Sequence, residues 1–267
     1  MKILLGAVLV LAAGLMVLGY WLYTPDKAEA ALEAEYAIAP TEFIEVLGVR
    51  LHVRDTGPRD APAIVLLHGF GSSLLTWEPW AQALSTNYRV VRFDLPGFGL
   101  TGADPTGDYS DARGLTILGA LLDKLGIARA TLIGNSMGGK LAWMFAAEYA
   151  QRVNKLVLIS PDGFASPGFE YGKKPDVPSI MRLLKYTLPS FMVRMNLAPA
   201  YGNPAALTDD VLDRYRDMML APGVRAAMLA RLEQVDLHPP EPMLKRITAP
   251  VLLLWGERDA MIPFSNA

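Results

Sequence analysis

Five short apolar runs recur along the chain: AIVLL (63–67), RVVRF (89–93), ATLI (130–133), KLVLIS (155–160) and PVLLLW (250–255). Each has the length of a buried strand, and helix-like segments such as Leu115 to Leu125 and Lys140 to Ala150 lie between several of them. A run that is apolar at nearly every position needs cover on both faces, and strands that alternate with helices pair in parallel. The order therefore predicts an α/β fold: a mostly parallel, doubly wound sheet covered by helices on both sides. Ahead of it, FIEVLGVRLHVRDTG reads as a hairpin.

The regularity breaks between Gly163 and Lys245, where Pro, Met and Leu are frequent and strand signals vanish. LTDDVLDRYRDMML opens with Thr208 as a capping residue and places Asp209 and Asp210 at the positive end of a helix dipole, so this part reads as helical. The expected organisation is a core over 41–162, a helical cap over 163–245 and a second part of the core over 246–267. Such a cap would lie above the carboxyl edge of the sheet, where open α/β sheets bind their ligands.

The chain has 267 residues, 52% of them hydrophobic and 19% charged, enough to bury a large single core. Net charge is −2, with no dense run of Lys or Arg, which argues against a nucleic-acid partner. The sequence has no cysteine, so disulfides, thiolate metal sites and a Cys nucleophile are excluded.

From Ile3 to Tyr23 the chain is uncharged and long enough to cross a hydrocarbon core of about 30 Å, with Tyr20, Trp21 and Tyr23 as an aromatic belt. Residues 1–23 are expected to be an uncleaved transmembrane anchor. The acidic excess after the span (Asp26, Glu29, Glu33, Glu35) points the body out of the cytoplasm. The rival reading is a cleaved signal peptide with Ala28-Glu29-Ala30 as a small-x-small site. Residues 24–40, rich in Ala and Glu, read as a helical stalk or linker between membrane and body.

Three motifs carry chemistry. Gly134-Asn135-Ser136-Met137-Gly138 fits G-x-S-x-G between a strand and a helix, a context in which a sharp turn lifts a serine hydroxyl to a helix N-terminus. LLHGFGSS (66–73) follows a strand and can aim the Phe70 amide at the point reached by the Met137 amide, the two donors that a developing oxyanion needs. LLLWGERDAMIP sets Asp259 on a loop just past a strand, where a carboxylate can hold the tautomer of an imidazole. His68 reads as a loop-shaping residue bonded to backbone, Asp94 as loop architecture in FDLPGFGLT, and His52 as a polar residue facing solvent from a hairpin strand.

Together HGFG, GNSMG and GERD resemble the α/β-hydrolase superfamily, over roughly Phe43 to the C-terminus, and within it the capped serine hydrolases that include esterases and carbon–carbon bond hydrolases of ring-cleavage pathways. The resemblance implies the order Ser, acid, His along the chain, and implies no metal and no cofactor. Here no histidine follows His238, which precedes Asp259. The expectation is that the natural protein continues past Ala267 into a further strand and a Gly-His loop, and that the chain as given is nearly inactive for want of its base. The expected activity is serine hydrolysis of an ester-like carbonyl in a small, apolar substrate. A ring-cleavage type carbon–carbon bond hydrolase and a non-catalytic, membrane-tethered binding protein stand as alternatives.

Overall fold

The computed structural model describes residues 2–166 and 168–267. Helix α1 (Lys2–Leu22) is followed by a short α2 (Glu29–Tyr36), then by strands β1 (Glu42–Val46) and β2 (Val49–Thr56). These two strands pair antiparallel through Leu47 and Gly48, both at positive φ (51° and 84°), which suits the twist of a two-residue hairpin. Next come β3 (Ala63–Leu67), α3 (Glu78–Leu84), β4 (Arg89–Phe93), α4 (Asp111–Lys124), β5 (Ala130–Asn135), α5 (Met137–Glu148) and β6 (Val153–Ile159). Helices α6 (Ser190–Leu197), α7 (Asp209–Met219), α8 (Val224–Glu233) and α9 (Glu241–Leu244) precede β7 (Val251–Leu254).

Among the described residues seven strands form one sheet, in the order β1-β2-β4-β3-β5-β6-β7. The strands from β3 to β7 are parallel, and the hairpin joins antiparallel at β4. Alternate residues of one strand show why both faces must be apolar. Val65 and Leu67 pack with Leu118 and Leu121 of α4 and Phe145 of α5, whereas Ile64 and Leu66 pack with Trp77 and Ala81 around α3. The doubly wound sheet expected from the sequence is thus present. At its far side β7 pairs with β6, and each residue from Val251 to Leu254 is exposed.

Between β6 and β7 the helices expected over 163–245 begin only at Ser179; the described residues before it form turns and an isolated Ser166–Phe169 bridge, as the Pro and Gly residues there favour. Thr208 caps α7 by accepting from the Val211 N–H, with Asp209 and Asp210 in the first turn. A 3₁₀ helix (Ser179–Lys185) and α6 complete the part nearest the N-terminal helix.

Residues 24–36 depart from the expected spacer. The Thr24 N–H donates to Tyr186 O (2.8 Å), the Leu188 N–H to Thr24 Oγ1 (3.2 Å), and the Lys27 N–H to Leu220 O (2.8 Å). Asp26 pairs with Arg225 (2.6 Å) and Lys27 with Asp217 (2.7 Å). Tyr36 also donates to Asp217 (2.9 Å), and its phenol is held far above its ordinary range by burial and by the carboxylates of Asp217 and Glu35. Leu32, 1% exposed, packs among Leu74, Leu75, Leu100, Met218, Ala221 and Val224. The segment is a strap bound to the body, because Leu32 finds cover both in the helices between β6 and β7 and in the segments after β3 and β4.

Candidate active site

The carboxyl ends of the parallel strands carry the polar groups singled out above. Ser136, at the β5–α5 junction, has φ 51° and ψ −120°, a conformation that costs a non-glycine residue energy and persists only where its surroundings fix it. Those surroundings are visible. Its N–H donates to Ile159 O (3.0 Å), and its carbonyl accepts from the Asp162 N–H (3.0 Å) and the Lys140 N–H (3.0 Å).

The flanking glycines are required by close approach. A Cβ at Gly134 would lie 2.3 Å from Gly138 O, and one at Gly138 would lie 2.2 Å from Leu67 O. The helix start is therefore seated directly on the end of β3. The turn that follows β3 lies against the serine: a Cβ at Gly69 would be 3.3 Å from Ser136 Cβ. Among the described residues neither the Phe70 nor the Met137 amide has a hydrogen-bond acceptor.

His68 holds this turn. Its Nδ1 donates to Gly69 O (2.8 Å), and its Nε2 accepts from the Leu95 N–H (2.9 Å). Burial lowers the pKa of the ring, consistent with a neutral imidazole whose two nitrogens are both engaged by backbone. Asp94 acts on the same loops, accepting from the Leu74 N–H (2.6 Å), the Leu100 N–H (2.8 Å) and His52 Nδ1 (2.8 Å).

His52 is therefore not the solvent-facing residue expected from its strand. It is fully buried and stacked on Phe43 at 5.3 Å, because the loop from Asp94 to Thr101 closes over that face of β2; the His52 N–H itself donates to Thr101 Oγ1 (2.9 Å). His238 is exposed and its Nε2 lies 3.2 Å from Asp236.

Two cavities meet at Ser136, both lined by Phe70, Ser136, Met261 and Ile262. The first, of about 520 Å³, also takes in Asp259 and Ser160, and the helical part lines it mainly with apolar side chains, Met181, Leu184, Leu188, Val193, Leu197 and Met219, with the polar Tyr215 and Arg225 among them. The second, of about 540 Å³, includes Met137, Lys140, Asp162, Arg231 and His238. The Asp259 carboxylate accepts from the Met261 and Ile262 amides (2.9 Å each). Partial burial acts to raise its pKa, but the Ile262 amide, the Ser160 hydroxyl and the Met261 amide outweigh it, so the group is held below the ordinary carboxylate range.

The fold thus brings Phe70, Ser136 and Asp259 around one cavity and Phe70, Ser136 and Met137 around the other. Sequence reading passed over Ser160, which ends the run KLVLIS and has φ 39°, and Arg225, which lines the first cavity while paired with Asp26. Ser160 had a signal, since a polar residue closing an apolar run marks the carboxyl edge; Arg225 had none.

Comparison with known proteins agrees with this geometry. The family model described as alpha/beta hydrolase fold matches residues 62–267. The 2-hydroxy-6-oxononadienedioate/2-hydroxy-6-oxononatrienedioate hydrolase of Cupriavidus pinatubonensis is 33% identical over 228 residues, 80% of this chain and 76% of that protein. The crystal structure of a meta-cleavage product hydrolase from Pseudomonas fluorescens IP01 superposes with a TM-score of 0.69 at 26% identity, covering 85% of this chain and 83% of the other. A membrane phospholipase A, described as a bacterial virulence factor, superposes over 99% of this chain and 85% of its own, with a TM-score of 0.70 at 29% identity. With the sheet order, the turn at Ser136 and a family match over most of its length in agreement, the chain belongs to the α/β-hydrolase fold family and is a hydrolase of that family.

Proposed function

We propose that the protein is a membrane-anchored serine hydrolase that cleaves an ester carrying an apolar chain, through an acyl-enzyme. The observation that carries this reading is the position of Ser136 at the junction of two cavities, one of them walled by apolar side chains of the helical part. In this mechanism Ser136 Oγ attacks the ester carbonyl while an imidazole base takes its proton, which is then returned to the oxygen of the departing alcohol. The tetrahedral oxyanion is held by the Phe70 and Met137 amides, and collapse expels the alcohol. Water, deprotonated by the same base, then attacks the acyl-serine, and collapse of the second tetrahedral intermediate returns the proton to Ser136 Oγ and releases the acid.

Asp259 serves as the acid that orients a histidine base. None of the three histidines in this sequence is placed for that base. His68 has both nitrogens engaged, His52 is buried on Asp94, and His238 precedes the acid and pairs with Asp236 in solvent. The 267-residue chain is accordingly expected to turn over orders of magnitude more slowly than a complete triad. The relative that matches along 99% of the chain, a membrane phospholipase A, supports a lipid ester as the substrate class and α1 as an anchor, and the apolar span Leu4–Leu22 has the length an anchor needs.

A second reading has its own support. Carbon–carbon bond hydrolysis of a ring-cleavage product is favoured by the 33% identical relative, and a substrate carboxylate in the second cavity would meet Lys140 by displacing its partner Asp111 (2.7 Å).

Chemical rescue tests the proposal. Imidazole added to the purified 1–267 chain should supply the base and raise hydrolysis of a long-chain nitrophenyl ester in a saturable manner, and Ser136→Ala should remove the increment. Rescue that Ser136→Ala leaves intact refutes the serine mechanism. No Ser136-dependent rescue in a folded chain favours the non-catalytic binding reading, and rescue seen with a dienone ring-cleavage product but not with esters favours the second.

A further inference from the structure

The helical part of the chain divides its apolar side chains between two faces. On the 3₁₀ helix Ser179–Lys185, Met181 and Leu184 line the cavity at Ser136, while Ile180 and Leu183 face outward, 69% and 51% exposed. On α6, Val193 and Leu197 turn inward, while Phe191 and Met195 are 61% and 69% exposed. Tyr186, between the two, is also exposed. Single exposed apolar residues need no explanation, but five such residues on two adjacent short helices and the loop between them make a patch of the kind that marks an interaction surface.

The chain itself indicates what covers it. Helix α1 is apolar from Leu4 to Leu22 and ends in the exposed aromatics Tyr20, Trp21 and Tyr23, residues that sit at the headgroup level of a spanning helix. At the next residue the Thr24 N–H donates to Tyr186 O, and Thr24 Oγ1 accepts from the Leu188 N–H. The loop joining the two short helices is thus hydrogen-bonded to the first residue beyond that aromatic belt. With α1 read as a spanning anchor, that loop falls at the depth of the bilayer interface. Arg182 and Lys185, both exposed, are interspersed with the apolar residues, the mixture that an anionic lipid surface accepts.

We propose that the outer face formed by Ile180, Leu183, Tyr186, Phe191 and Met195 docks on the same phospholipid bilayer that holds α1, seating these side chains among the headgroups. The proposal rests on the anchor reading of α1 and not on the chemistry assigned to Ser136. It makes the wall of the first cavity a sheet of side chains one helix thick, with lipid outside and Ser136 inside.

The absence of cysteine makes the test direct. Ile180→Cys and Met195→Cys each introduce one thiol into the full chain at an exposed site outside both cavities, and Asp60→Cys, in the exposed turn before β3 at the amino edge of the sheet, serves as control. Each variant is labelled with a polarity-sensitive fluorophore, reconstituted into vesicles of phosphatidylcholine with phosphatidylglycerol, and quenched by doxyl-labelled lipid. Docking is expected to give severalfold stronger quenching at positions 180 and 195 than at 60. Equal quenching at all three positions in protein that floats with the vesicles overturns the docking surface and leaves the anchor standing. Failure to float removes the anchor and the proposal with it, without bearing on Ser136. A blue-shifted label that doxyl lipid does not quench identifies a second copy of the chain as the cover, and likewise overturns it.

Discussion

Replacing Leu32 with alanine separates a strap from a spacer. The side chain is 1% exposed in a cluster drawn from α2, the segment after β3, the loop after β4 and the helices α7 and α8. Leu32→Ala removes three carbons, worth about 0.8 kcal/mol each on burial, or roughly 2.4 kcal/mol before any cavity is counted. A cluster built from segments so distant in sequence can collapse only in part, so the expected total is about 3–4 kcal/mol. At about 2–4 °C per kcal/mol for a chain of this size, Tm should fall by roughly 6 to 16 °C. The assay is thermal unfolding of the full chain in detergent, followed by near-ultraviolet circular dichroism. Glu35→Ala, exposed on the same helix, should stay within about 0.5 kcal/mol. A fall of less than about 1 °C for Leu32→Ala would show that α2 contributes nothing to the body, and the assignment of residues 24–36 to a strap would be wrong.

Two other outcomes follow from the site. Gly138→Ala places a Cβ 2.2 Å from Leu67 O and 2.6 Å from His68 O, so the start of α5 must part from β3; an overpacking cost of about 1–3 kcal/mol and loss of the imidazole-dependent activity are expected. Gly202→Ala, with open space around its Cβ and no positive φ, should leave Tm unchanged, and a neutral Gly138→Ala in the same unfolding experiment would refute the packing argument. For Asp94, burial works to raise the pKa, but His52 and the Leu74 amide outweigh it and hold the carboxyl below the ordinary range. Its contribution is therefore complete above an unfolded value of about 3.9 and is lost as pH falls through the lower folded value. Asp94→Asn should flatten that acid limb, and at neutral pH should cost about 1–3 kcal/mol by leaving a buried amide without its acceptor. Parallel acid limbs for the two proteins in denaturant titrations would contradict this assignment.

The strands that the sequence makes plainest are those buried on both faces. Ala63–Leu67 and Arg89–Phe93 coincide with the apolar runs residue for residue, because every position there must be covered and the flanking polar and turn residues mark the ends. The turn at Ser136 was legible for a related reason, since the steric demands at Gly134 and Gly138 leave their own record in the sequence. His52 was not legible. Its strand pattern allows either face, and the loop that buries it comes forty residues later, with Asp94 as its partner. The strap hid in the same way: Ala and Glu dominate residues 28 to 36, and the contacts that hold them are remote, Tyr36 meeting Asp217 across 181 residues of sequence. Arg225 owes its place at the cavity to Asp26, a pairing that no local period or motif announces.

The Asp26–Arg225 pair also limits how this protein can be matured. A peptidase acting at Ala28-Glu29-Ala30 would cut inside α2 and carry away Thr24, Asp26 and Lys27 together with the apolar helix. Arg225, whose side chain is 6% exposed and whose Nε and Nη1 have no acceptor among the described residues, would lose the carboxylate that balances its charge beside the cavity. Asp217 would lose Lys27. Such a cut would therefore leave two buried charges without their partners, one of them in the wall of the first cavity.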